Sequence, residues 1–282
     1  MNRRHDRLIS ELACAVVSDR ACNQYSKIDG DLAANAVRRR NLRLYLEELE
    51  RIGPKMLLIG EAPSYRGGRL TGIAFVSETV LLAGVDIISP PGRILGSGAG
   101  YRRATSGPRL STEASATMVW STIRDIHPLP MLWNAFPFHP FHRGTPNTNR
   151  MPDSGELALG RPFIEMLLEL FPIREIVAVG NHAAVSMTKL GLVHTKIRHP
   201  SMGGKNEFVA GMARLSQREE AEDTMPKKSQ TQDIKEGRAM RERTYTGRNQ
   251  PAGPKPNFPT KNAEKLSTVP SSATEKYKGG RE

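Results

Sequence analysis

Cysteine is almost absent from this sequence: Cys14 and Cys22 are the only two in 282 residues. Two thiols cannot build a four-thiolate iron–sulfur cluster or a tetracysteine zinc site, and reduced structural thiols are the default reading of such a pair. Long apolar runs are missing too. No stretch reaches the roughly 20 apolar residues of a membrane-spanning helix. The opening residues, MNRRHDRLISELACAV, lack the apolar core and small-residue cleavage site of a secretion signal. A soluble cytoplasmic protein with no membrane partner is expected. Acidic residues are also short, 29 against 41 Lys and Arg, for a net charge of +12.

That charge is not confined to one end. Residues 216–282 hold 14 basic and 10 acidic residues, so +8 remains in residues 1–215. A folded part that is basic in its own right suits a protein that tracks phosphates; a basic solvated surface is the plainer account. Branched aliphatics nearly vanish after Leu215, and such a stretch cannot bury enough apolar surface to offset its chain entropy. Residues 216–282 therefore read as a disordered basic tail.

Before that point, helical and strand periodicities alternate. Residues 5–22 and 35–51 read as helices. The second sets Leu42, Leu44, Leu46 and Leu49 opposite Arg38, Arg39, Arg40 and Arg43, a basic face read as solvated rather than as a contact for a backbone phosphate. Apolar strands follow at 56–59, 131–135, 175–180 and 192–197. Helices fall between and after them, at 77–85 with Ser77 as cap, from Thr112, at 155–170, from Asn181 as cap to Gly191, and near 208–215. Residues 89–111 are turn-rich and basic, a mobile loop beside the site. The GSGAG within them lacks the preceding strand and following helix of a dinucleotide loop. Strands alternating with helices give a single three-layer α/β/α domain around a central, mostly parallel four-stranded sheet. Residues 1–50 form N-terminal helices packed on a core domain of 51–215.

In open α/β sheets, chemistry sits beyond the carboxyl ends of the strands. Three strand ends carry polar groups there: Glu61 after the first, Asn134 at the second, His199 after the fourth. Their convergence is the functional signal. His139 and His142 share a Pro-rich loop without an obvious third ligand, so no metal site is read.

These residues carry a resemblance. GEAPSYRGGRLTGIAF (60–75) resembles the first motif of the uracil-DNA glycosylase superfamily, in its family-four branch. WNAFPFHP (133–140) is similar to the segment bearing that family's base-reading Asn, and RHPS (198–201) to its terminal His-Pro-Ser motif. The resemblance covers about residues 50–215. It implies a monofunctional hydrolase that flips uracil out of single- or double-stranded DNA and cleaves its N-glycosidic bond with water, acting as a monomer without cofactor. His199 would stabilise the departing base and Asn134 would read it. Phe75 would stack on it, with Gly60, Ala62, Pro63 and Ser64 lining the pocket. Ser201, Arg198, Met202 and Gly203 would hold the flanking phosphate, Met202 being also the nearest apolar wedge. Glu61 either activates water or ties the loop to backbone N–H groups.

The sequence departs from the family at several points. Ala62 stands where the best-known branch has aspartate, Ser64 where one branch has the tyrosine that excludes thymine's methyl, and Ala74 where a proline precedes the phenylalanine. The iron–sulfur cysteines of family four are missing. Two rivals follow: a catalytically weak or inactive member that binds DNA or a damaged base, and a glycosylase for another deaminated base such as hypoxanthine or xanthine.

Overall fold

The computed structural model describes residues 3–88 and 91–224. Helices α1 (Arg3–Cys14) and α2 (Leu32–Ile52) come first, separated by strand β1 (Ala21–Cys22). Strand β2 (Met56–Gly60) is followed by the short helices α3 (Gly68–Thr71) and α4 (Glu78–Ala83), the hairpin strands β3 (Val85–Ile88) and β4 (Pro91–Ile94), and α5 (Ala114–Ile123). Next come β5 (Met131–Asn134), β6 (His139–Pro140), α6 (Ser154–Leu170), β7 (Glu175–Val179), α7 (Asn181–Lys189), β8 (Thr195–Ile197) and α8 (Lys205–Thr224).

The central sheet has the order β5-β2-β7-β8, with every pairing parallel. These are the four strands expected from the apolar runs. All residues of β2 and β5 are buried. Successive side chains of a strand point to opposite faces, so burial of every one requires cover on both sides of the sheet. The helices supply it: α7 packs against β2, β7 and β8, α8 against β8 and α5, and α1 against α2 and α6. Leu42, Tyr45, Leu46 and Leu49 of α2 are fully buried in the same core as β2, so the N-terminal helices are part of the domain core.

Several boundaries move. The helix expected over 5–22 stops at Cys14, because the Asn23 amide donates to the carbonyls of Leu12 (2.8 Å) and Ala15 (2.9 Å), satisfying acceptors at the helix end. Residues 21–22 instead pair antiparallel with 139–140. The last helix passes Leu215 to reach Thr224, anchored by the Arg218–Glu175 ion pair to the start of β7, so the expected tail boundary at 216 is too early. The rest of that tail lies outside the described residues.

The loop expected over 89–111 contains part of the β3-β4 hairpin and a 3-10 turn at Ser97–Ala99. Its Arg93 pairs with Asp86 and its Arg103 with the buried Glu78, so two cations of this basic loop are committed to partners within the fold.

One contact fixes the end of β5. Gly160, buried within α6, lies so close to the carbonyl of Ala135 that a Cβ there would fall 2.0 Å from the oxygen. An alanine in a helix interior normally stabilises by about 1 kcal/mol relative to glycine. Here overpacking against backbone reverses the sign: Gly160→Ala should destabilise by about 1–3 kcal/mol in urea unfolding. A gain in stability would contradict the close packing of α6 on the strand end.

Candidate active site

Because the sheet is parallel, the carboxyl ends of β5, β2, β7 and β8 lie side by side, and a cavity of about 530 Å³ opens over them. Glu61, Asn134 and His199 all line it. So do Gly60, Ala62, Pro63, Ser64, Phe75, Arg198, Ser201 and Met202. Gly203, although next in the chain, does not.

At the floor, Gly60 pairs in register with Asn134 of the neighbouring strand. A Cβ at Gly60 would sit 2.6 Å from the Phe75 ring and 2.7 Å from Asn134 Oδ1, so only glycine lets the ring and the amide close over the strand end. Phe75 adopts φ +55°, a region L-residues rarely occupy. Its carbonyl accepts a hydrogen bond of 3.0 Å from Trp120 Nε1 on α5, which holds the strained turn. Asn134 is 5% exposed, and its amide has no hydrogen-bond partner among the described residues. A buried amide left open in this way is available to a ligand.

The His199 ring lies 6.5 Å from that of Phe75, tilted by 36°. The backbone N–H of Ser201 donates to His199 Nδ1 at 3.2 Å, and Ser201 Oγ lies 2.7 Å from the same nitrogen. A backbone amide can only donate, so Nδ1 is the acceptor and the proton of the neutral ring sits on Nε2. Burial pushes the imidazole below its ordinary pKa, and the charges of Arg198 and His182 push the same way. His199 is therefore a neutral donor at neutral pH. Ser201, expected on a phosphate, directs its hydroxyl to the imidazole instead and positions it. Met202 stands 92% exposed at the cavity lip with φ +52°.

Glu61 Oε1 is buried without a hydrogen-bond partner. Burial raises its carboxyl pKa, a shift opposed by His182. Of the two readings of Glu61, a carboxylate tied to backbone N–H groups would show such donors, and none is present among the described residues. The loop is held by other means: buried His139 contacts the carbonyls of Pro63 (2.8 Å) and Pro146 (3.1 Å) through its two ring nitrogens. Ser64 Oγ is also buried without a partner. Nearby, Glu113 Oε2 would be 1.9 Å from a Cβ at Gly67, so its carboxylate occupies the space that glycine leaves.

The sequence reading missed the wall formed by Gly180, Asn181 and His182. The signal was present, since this segment follows a strand as the others do, but Asn181 was read as a helix cap. Gly180 holds the N-cap position, with no side-chain cap bond. With β7 between β2 and β8, its loop must lie between Glu61 and His199. Arg150 also lines the cavity, yet its guanidinium is committed to Glu156 (2.6 and 2.7 Å) and to the carbonyls of Phe141 and Arg20 (3.0 Å each). The basic residues Arg93, Arg102, Arg103 and Arg109 do not line the cavity. No cluster of three or more metal-ligating side chains occurs among the described residues.

No curated protein sequence matches the chain significantly. Among solved structures it is similar to wild-type SMUG2 of Pedobacter heparinus, at 13% identity and a TM-score of 0.49, over 77% of this chain and 98% of that one. Residues 47–224 match the family described as the Uracil DNA glycosylase superfamily. With more than half of its length inside that match, the chain belongs to the uracil-DNA glycosylase superfamily and is a DNA glycosylase, a hydrolase of N-glycosidic bonds in DNA.

Proposed function

We propose that the chain is a monofunctional uracil-DNA glycosylase that acts as a monomer, extrudes a uracil nucleotide from DNA and hydrolyses its N-glycosidic bond with water. The observation that carries this reading is the open amide of Asn134, which shares one cavity with the Phe75 ring and the Nε2–H of His199. Uracil offers an acceptor at O4 and a donor at N3, which one amide matches with Nδ2 and Oδ1. Cytosine reverses both, leaving buried polar groups unpaired at about 1–3 kcal/mol each. Phe75 provides a face on which the extruded base stacks, worth about 1–3 kcal/mol.

As the bond to C1′ breaks, the electron pair leaves with the base. His199 Nε2–H donates to the growing charge on O2, and its fixed tautomer means that no reorganisation is needed. Glu61, half-buried and with its Oε1 enclosed without a donor, accepts the proton of the water that attacks C1′. The short motifs contain no lysine for Schiff-base chemistry, which supports hydrolysis without strand cleavage. The small Ser64 on the wall favours a second reading, a glycosylase for larger deaminated bases such as hypoxanthine or xanthine.

Base release from oligonucleotides containing uracil, mismatched thymine, hypoxanthine or xanthine decides between them. Uracil should be preferred. Asn134→Ala should lower its release at least about thirtyfold, the loss of two hydrogen bonds, and His199→Ala by about 10²–10³. Wild-type rates in both variants would overturn the assignment, and a salt-dependent complex with no released base would mark an inactive binder.

The pH profile tests the roles of the two groups. Glu61 must be ionised, and its raised pKa means activity is lost as pH falls through that value. His199 must be neutral, and its lowered pKa places its loss on the acid side as well. The rate should be flat near neutrality and fall on acidification between the ordinary histidine and glutamate values. Glu61→Gln should make the fall shallower at a reduced rate. A rate that rises on acidification would require a cationic His199 and refute the scheme.

A further inference from the structure

A second concave surface, of about 590 Å³, lies between α1 and α2. Six cationic side chains line it, Arg3, Arg7, Lys27, Arg39, Arg40 and Arg43, against a single carboxylate, Asp6. The spacing explains the cluster. Arg3 and Arg7 are one turn apart on α1, and Arg39, Arg40 and Arg43 follow Ala36 at helical intervals on α2, so each helix turns one basic stripe into the groove.

Two of the six are committed. Arg39 donates to the carbonyls of Tyr25 (2.6 Å) and Ser26 (2.8 Å), and Arg43 pairs with Asp6. Arg3, Arg7, Lys27 and Arg40 are exposed and meet no carboxylate among the described residues. Like charges gathered without counterions are unfavourable unless a polyanion or salt neutralises them.

The groove is built wholly from residues 3–43, ahead of the part that matches the family, which begins at residue 47. It is nonetheless joined to the catalytic loop. Arg38, beside the groove residue Arg39, donates to the Leu70 carbonyl at 3.2 Å, and Tyr25 Oη donates to Gly72 O at 2.9 Å. Leu70 and Gly72 belong to the segment that runs from Gly68 at the cavity to Phe75.

We infer that the α1/α2 groove is a second nucleic-acid contact, which binds the phosphate backbone of DNA away from the extruded base and lengthens the footprint beyond the pocket. It rests on the chain acting on DNA and does not depend on uracil being the lesion. Recognition is by charge alone, since groups on flexible stems without fixed acceptors read phosphate rather than sequence.

The test uses the full chain with the triple variant Arg7→Ala, Lys27→Ala, Arg40→Ala, all at exposed positions. Fluorescence anisotropy would measure binding to lesion-free duplexes of about one and about three helical turns across a potassium chloride series. The wild type should bind the long duplex with the steeper salt dependence. The variant should lose that advantage, with a log–log slope smaller by about 2–3, or about 0.9 per phosphate contact removed. Its base release from a short single-stranded oligonucleotide should be unchanged. Rescue by Arg7→Lys, Lys27→Arg, Arg40→Lys should restore the slope. An unchanged slope, an equal loss on both duplexes, or a loss confined to anionic phosphatidylglycerol vesicles would each overturn the inference. A groove effect in a wild-type chain that releases no base from any probe would leave the inference standing and remove the uracil reading.

Discussion

The site depends on an absence of atoms at Gly60. A strand end that carried any side chain would push the Phe75 ring and the Asn134 amide apart, and the cavity would lose both its aromatic wall and its hydrogen-bonding floor. Everything around this point serves the same approach. Parallel pairing of β2 with β5 brings residue 60 level with residue 134, Gly160 lets α6 press on the next residue, and Trp120 holds the carbonyl of the strained Phe75. The fold thus converts two glycine-sized gaps and one unfavourable backbone angle into a pocket whose floor amide remains open until something enters.

Electrostatically the cavity is divided. Burial keeps the His199 imidazole uncharged and makes ionisation of Glu61 costly, while His182 lies close enough to both to influence each. Glu61 must be charged and His199 uncharged for their roles, and one desolvated environment disfavours charge on both. The Ser201 backbone resolves the remaining ambiguity by fixing which ring nitrogen carries hydrogen.

Much of this could be read from residue order. The four sheet strands stand out as apolar runs, and Glu61, Asn134 and His199 follow from the rule that ligands sit beyond strand ends; the cavity contains all three. Short strands such as Ala21–Cys22 and His139–Pro140 left no periodic trace, because two residues cannot display a period. The true end of α1 depends on Asn23 folding back on it, a tertiary contact that propensity cannot register. His182 follows a strand as the other site residues do, but Asn181 before it reads as a helix cap, and only the sheet order shows that this loop lies between two others. Ser201 was assigned to phosphate by resemblance, whereas its hydroxyl faces the imidazole two residues earlier.

The clamp on Phe75 has an optical corollary. The chain contains two tryptophans. One donates its indole N–H to the backbone of the stacking residue, and the other, Trp133, directly precedes the base-reading amide on β5. Each indole is thus one link from a residue that lines the hollow, so intrinsic fluorescence offers a label-free signal for following a nucleobase as it arrives.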